Sequence, residues 1–169
     1  MSEVRLVMVD KEDVLFETCG VSSIDESAKE AFAKSIFKQA VAYNILVDGT
    51  PAGGCMLCIG SIRNQDDDFY VGDTVFPVVK ISYIAVDRKL QGFGIGSRVL
   101  NMLIRDIKEL SERWPIRYII LDSLPERKDW YKKFGFAIDT NLESKEKFAV
   151  PMKMDLMDRE IAEAYTGQF

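Results

Sequence analysis

Histidine is absent from this 169-residue chain. A Ser-His-Asp triad, a Cys-His pair and an imidazole zinc ligand are therefore excluded, and general acid–base work falls to Tyr, Asp, Glu, Lys or Cys. Cysteine is scarce. Cys19, Cys55 and Cys58 form an odd set, which argues against a disulfide framework and for the reducing cytosol. Cys55 and Cys58 read as C-x-x-C, but residues i and i+3 of a strand face opposite sides, so core cysteines are expected rather than a redox pair or metal site. Long apolar runs are also missing. The longest uncharged stretch, residues 49–62, is broken by Gly49, Pro51, Gly53, Gly54 and Gly60, whereas a membrane helix needs about 20 apolar residues. Glu3 and Arg5 stand where a signal peptide would build its apolar region, so export by that route is not expected. Basic residues are the minority charge, 22 against 27 acids, and the net −5 argues against a general nucleic-acid binder.

What is present suits one folded domain: 47% apolar and 29% charged residues, in a length that buries roughly 70% of its unfolded surface. The charge is uneven. Lys80 to Lys153 carries 15 basic and 10 acidic residues, net +5, and the remainder carries 7 and 17, net −10. A basic region inside an acidic chain suggests a site for an anionic small molecule.

Asp25 to Gln39 reads as an amphipathic helix with Ala28, Phe32 and Ile36 on one stripe, Phe37 beside it, and acids at its N-terminus. Val41 to Val47 is β-rich, Asp48-Gly49 is a hairpin signal, and Cys55 to Ile62 is the returning strand. Asn64 to Asp73 reads as a loop whose acids, Asp66 to Asp68, are expected to be solvated. Val78 to Val86 is the strongest strand. The helix from Ile95 to Arg113 follows, with Val99, Leu100, Leu103, Ile104, Ile107 and Leu110 as its apolar stripe, and Trp114-Pro115 stops it. Then come a strand over Tyr118–Leu121, a helix from Pro125 to Phe134 capped by Gly135, and a strand pair over Phe136–Ile138 and Phe148–Leu156. Asp158 to Phe169 is an amphipathic tail with Ile161, Ala162 and Tyr165 on one side. The order predicts mixed α/β structure around one sheet.

The informative segment is Gln91-Gly92-Phe93-Gly94-Ile95-Gly96-Ser97, between the strongest strand and the longest helix. Alternating glycines let the backbone turn tightly and approach a ligand without Cβ atoms in the way. Its amides, with a helix N-terminus behind them, form a cradle suited to pyrophosphate. A Walker loop is excluded because no Gly-Lys-Ser/Thr follows. A dinucleotide fingerprint fails because Ser97 stands at its last glycine and Ile116 where an acid is expected, although Asp122 ends the next strand.

The run Ile84 to Gly96 resembles the acetyl-CoA-binding motif of the GNAT acetyltransferase superfamily, Gln/Arg-x-x-Gly-x-Gly/Ala. Asp129-Trp130-Tyr131-Lys132-Lys133-Phe134-Gly135-Phe136 resembles that family's tyrosine-bearing helix, which ends in Gly-Phe. The resemblance covers residues 1–156 and leaves 157–169 as a short amphipathic tail. It implies a single-domain α/β fold, a mixed, mostly antiparallel sheet flanked by helices, with splayed strands holding acetyl-CoA. It also implies direct transfer from acetyl-CoA to an amine in a ternary complex, with no metal and no acyl-cysteine. Backbone groups of Ile84, Ala85 and Val86 would pair with the pantetheine arm, and the amides of Gln91, Gly92, Phe93, Gly94, Ile95, Gly96 and Ser97 would hold the pyrophosphate. Tyr131 would protonate the departing thiolate, and an amide near Ile84 would face the oxyanion. Ser123 would replace an Asn that the family often places at the end of the second strand. The general base stays open among water, Asp122 or another acid, and bulk solvent.

A narrower resemblance joins Phe16-Glu17-Thr18-Cys19-Gly20, Ile24-Asp25, Val41 to Asp48 and Phe76-Pro77-Val78 to the toxin-type GNAT subgroup, with Tyr83 where that subgroup commonly has Arg. It implies acetylation of aminoacyl-tRNA and neutralisation by a small ribbon-helix-helix antitoxin. The basic residues Arg127, Lys128, Lys132 and Lys133 would serve tRNA or the CoA 3′-phosphate. The wider family implies a small-molecule or protein amine as acceptor, with no membrane partner. An acidic loop favours a cationic amine such as a polyamine or lysine, and the tail would dock on its own domain or on a second subunit of a homodimer.

Overall fold

The computed structural model describes residues 2–142, 144 and 147–167. Its strands are β1 (Val4–Met8), β2 (Val41–Val47), β3 (Thr50–Arg63), β4 (Val75–Val86), β5 (Tyr118–Ser123), β6 (Ala137–Ile138) and β7 (Val150–Asp155). They form one sheet in the order β1-β2-β3-β4-β5-β7-β6. The helices are α1 (Ser22–Lys29), α2 (Ala31–Ile36), α3 (Ile95–Ser111), α4 (Lys128–Lys133) and α5 (Arg159–Thr166). None of the described helices is long and apolar enough to cross a membrane. The α/β class with a mostly antiparallel sheet and flanking helices is as expected.

Contacts group the chain into two compact units, Met1–Ile59 with Lys80–Asp106, and Gly60–Val79 with Ile107–Phe169. In the first, Asp48 and Gly49 both adopt positive φ, at 49° and 79°, the geometry that closes a two-residue hairpin between β2 and β3. β1 was not expected from the sequence; it pairs antiparallel with β2, Leu6 opposite Ile45. The returning strand begins at Thr50 instead of Cys55 and runs through Gly53 and Gly54. The expected helix over 25–39 is two helices that break at Glu30. That break resets the phase of the stripe: Ala28 and Ala31 pack with Phe16, Met56, Tyr83 and Ala85, while Ile36 and Phe37 stay open at 57% and 72% exposure.

In the second unit, Phe76, Val78 and Tyr118 form a core closed by Ile62 and Ile120. β7 pairs antiparallel with β5 and with β6, as the expected closing strand pair requires. Pro125 opens a single 3-10 turn rather than the helix itself, and α4 follows it. Asp67 corrects the expectation of a solvated acidic loop. Its carboxylate accepts two bonds from Arg117 Nη2, at 3.0 and 2.8 Å, and one from the Phe69 amide at 2.8 Å. The Tyr118 hydroxyl donates to it as well. Burial alone would raise this carboxyl, but the Tyr118, Phe69 and Arg117 donors hold it below the ordinary carboxylate value. Of the long helix's stripe, Leu110 alone lies open, at 38% exposure in the last turn. The tail helix α5 is capped by Asp158, whose side chain accepts from the Ile161 amide at 3.0 Å. Ile161 and Tyr165 are 68% and 59% exposed.

Candidate active site

Ile84, Ala85 and Val86 end β4, with Ala85 buried and its two neighbours half-buried. Gly53 lets β3 approach this segment: a Cβ there would lie 2.0 Å from the Ala85 carbonyl oxygen. After Val86, Asp87 opens a 3-10 turn by accepting from the Lys89 amide at 3.0 Å. Gly92 and Gly94 then take φ of 86° and 78°, and nothing lies within 4 Å of where their Cβ atoms would stand. These two positions need glycine, since other L residues are strained at such φ. Phe93 between them projects outward at 77% exposure. α3 starts at Ile95, with its first ladder bond from the Arg98 amide to the Gly94 carbonyl at 3.2 Å. The first-turn amides of a helix have no acceptor inside it and carry its positive end. A loop with open space at both glycines, backed by that helix end, fits a pyrophosphate.

Gln91 has a part that its place in the motif did not reveal. Its Nε2 donates to the carbonyls of Cys19 at 2.7 Å and Val86 at 2.9 Å. Three further contacts tie residues 17–19 to this turn. The Glu17 amide donates to Asp87 Oδ2 at 3.0 Å, the Arg88 amide to the Thr18 carbonyl at 2.8 Å, and Lys89 Nζ to Glu17 Oε2 at 2.7 Å. The same segment is held to α1 by Asp25, which accepts from Thr18 Oγ1 at 2.6 Å and from the Cys19 amide at 3.0 Å. Cys19 is no ready nucleophile: burial, with the Asp25 contact, pushes its thiol up to about 11. Burial pushes Cys55 up to about 12, and Cys58 Sγ lies 3.6 Å from Ser82 Oγ. All three thiols are free.

The other two candidate residues lie in the second unit. Tyr131 sits half-buried on α4, edge-on to Trp130 and Phe136 with ring centroids 4.7 and 5.9 Å away. Gly135, at φ 101°, ends the helix, and the Phe136 amide returns to the Tyr131 carbonyl at 3.3 Å. Burial pushes the Tyr131 phenol up to about 12, against a smaller opposing pull from Arg127. It is therefore a neutral O–H donor at neutral pH. Ser123 is 1% exposed, and its hydroxyl donates to the Leu124 carbonyl at 2.7 Å.

A glycine cradle on a strand-loop-helix and a protonated phenol are parts that an acyl transfer from a thioester would use. Comparisons with known proteins show the family. A family profile described as acetyltransferase (GNAT) domain matches residues 40–138. The tRNA-acetylating toxin of Mycobacterium tuberculosis (strain ATCC 25618 / H37Rv) is 30% identical over 134 residues, spanning 76% of this chain and 81% of the toxin. Among solved structures, one described as a bacterial toxin superposes with a TM-score of 0.76 at 20% identity, covering 100% of this chain and 98% of that one. The toxin AtaT complexed with acetyl-methionyl-tRNAfMet gives 0.69 at 16% identity, covering 96% and 99%. The chain belongs to the GNAT acetyltransferase family and is an acetyl-CoA-dependent N-acetyltransferase.

Proposed function

We propose that this enzyme acetylates the α-amino group of an aminoacyl-tRNA, as a cytosolic toxin-type GNAT protein whose catalytic domain is residues 1–156. The observation that carries this reading is the 30% identity, across 76% of the chain, to a protein named for acetylating tRNA. The antitoxin-bound AtaT structure, at 17% identity and a TM-score of 0.69, motivates the further proposal of a small antitoxin partner. The net charge of −5 favours a second reading, acetylation of a small cationic amine such as a polyamine or lysine.

In either case the backbone of Ile84–Val86 pairs with the pantetheine arm as an added edge, and the amides from Gln91 to Ser97 hold the pyrophosphate. The Val86 carbonyl already accepts from Gln91, so it offers only its second lone pair. Gln91 itself shapes the loop through its side chain. An amide near Ile84 stabilises the oxyanion. Transfer forms the acetyl C–N bond and breaks the C–S bond. Tyr131 Oη gives its proton to the leaving sulfur, and the surplus proton of the amine passes to water. Tyr131 regains its proton from solvent. Ser123, with its donor committed to Leu124, contributes acceptor lone pairs only.

The test is transfer of labelled acetyl from acetyl-CoA to aminoacylated total tRNA, beside a panel of polyamines and lysine peptides. Label in aminoacyl-tRNA, lost with Gly94→Trp, and growth arrest on expression are the expected results. Label in small amines alone selects the second reading.

A further inference from the structure

Residues 17–20 form a strap between α1 and the glycine turn, and its polar backbone groups are met from both sides. On the turn side the Glu17 amide donates to Asp87, the Thr18 carbonyl accepts from the Arg88 amide, and the Cys19 carbonyl accepts from Gln91 Nε2. On the helix side the acceptor is one carboxylate. Asp25 Oδ2 accepts from Thr18 Oγ1 at 2.6 Å, and Oδ1 accepts from the Cys19 amide at 3.0 Å. Thr18 Oγ1 in turn accepts from the Gly20 amide at 3.0 Å, so a single carboxylate orders three consecutive residues. Asp25 is the fourth residue of α1, whose N-cap, Val21, makes no side-chain cap. Its two bonds run to the strap rather than to the first amides of its own helix. Burial alone would raise the Asp25 carboxyl, but the Cys19 amide and the Thr18 hydroxyl hold it below the ordinary value. It is therefore ionised at neutral pH, and bonds to an ionised acceptor are about twice as strong as neutral ones. The strap's other anchors on this side are apolar: Phe16 and Cys19 are buried in one cluster with Ala28, Ala31 and Ala85. Apolar burial is non-directional, so it sets the depth of the strap and leaves the aim of the Cys19 carbonyl to the hydrogen bonds.

We infer that Asp25 is a positioning residue for the cofactor: it aims the Cys19 carbonyl at Gln91, and Gln91 holds residues 91–97 in the shape that receives the pyrophosphate. The inference rests on the assignment of that loop to the pyrophosphate. Gln91 Nε2 has two protons, and they go to Cys19 at 2.7 Å and Val86 at 2.9 Å. A Cys19 carbonyl that swings away leaves one of them without its acceptor and frees the first residue of the loop. The loop must then be ordered when the ligand arrives, and that ordering cost enters the binding equilibrium. Asp25 takes no part in the chemical step, so its effect falls on cofactor affinity.

The experiment measures CoA affinity by calorimetry on the full chain for Asp25→Ala, Thr18→Val, Gln91→Leu and the double variant of Asp25→Ala with Gln91→Leu, beside Gly94→Trp. Asp25→Ala is expected to weaken binding about tenfold, and Thr18→Val, which keeps the Cys19 bond, about threefold. Because Asp25 acts through Gln91, the double variant is expected to match Gln91→Leu alone, near tenfold, whereas independent effects would multiply to about a hundredfold. A merely structural role for Asp25 would give the hundredfold result. The same pairing with Thr18→Val serves if Asp25→Ala does not fold. Wild-type affinity in Asp25→Ala and Thr18→Val, or effects that multiply with Gln91→Leu, overturn the inference; loss of CoA binding in Gly94→Trp then leaves the loop assignment standing. Full binding in Gly94→Trp overturns both.

Discussion

Tyr131 and Gln91 show what a single residue owes to its surroundings. A free phenol titrates near 10, but burial pushes Tyr131 up to about 12. The protonated donor is the form present below the pKa, so its contribution is complete at neutral pH and is lost only as pH rises through about 12. The expected kcat profile shows no decline from this group between about pH 8 and 10. Tyr131→Phe is expected to lower kcat roughly 10²–10⁴-fold, with the calorimetric affinity for CoA retained. Gln91 makes a different prediction, because its two donated bonds go to protein carbonyls. Gln91→Leu leaves both without that donor and loosens the loop; we expect the KM for acetyl-CoA to rise about tenfold, the factor that 1.4 kcal/mol represents, with a smaller change in kcat. The motif made Gln91 legible in the sequence. Its inward orientation was not, because the Cys19 carbonyl is 72 residues away in the chain.

Among the elements, those with strong local signals were read correctly: the β4 strand, the glycine turn, α3 and the glycine that ends α4. Those that depend on a neighbour were not. β1 has five residues and exists as the edge partner of β2. Gly53 and Gly54 looked like interruptions, yet Gly53 lies in β3 because only glycine fits beside the Ala85 carbonyl. Gly53→Ala is expected to push β3 off β4, seen as a lower melting temperature together with weakened CoA binding. The acidic loop illustrates the same point. Asp67 reads as one of three solvated acids, but its side chain is 6% exposed because Arg117, itself 12% exposed, meets it from the start of β5. Removing one member of a buried pair costs roughly 3–5 kcal/mol, so Arg117→Met is expected to lower urea stability by about that amount. Because the Asp67 carboxyl is held below its unfolded value, its stabilisation is present above the unfolded pKa and is lost as pH falls through the lower folded one. Acid titration of the wild type, compared with Asp67→Asn, measures that loss.

At the scale of the whole molecule, charge sets the terms on which the tRNA of the proposed reaction would be met. The chain carries −5 overall, but Lys80 to Lys153 is net +5, and Arg127, Lys128, Lys132 and Lys133 fall within seven residues of one another. Acceptance of tRNA is expected to weaken between about 50 and 200 mM salt. Exchanging Lys132 and Lys133 for glutamate is expected to raise the KM for tRNA at low salt and to flatten the salt slope by about 1–2. Kinetics at several salt concentrations check both. The sequence by itself determined the α/β class, the glycine cradle, the tyrosine-bearing helix and the family, because each is written in contiguous residues whose periodicity or turn chemistry is local. Tertiary structure alone decided the break between α1 and α2, the clamp of Gln91 on Cys19 and the burial of Asp67. Each of these depends on groups distant in sequence and brought together by the sheet, where desolvation and hydrogen-bond partners, rather than residue type, set what a side chain does.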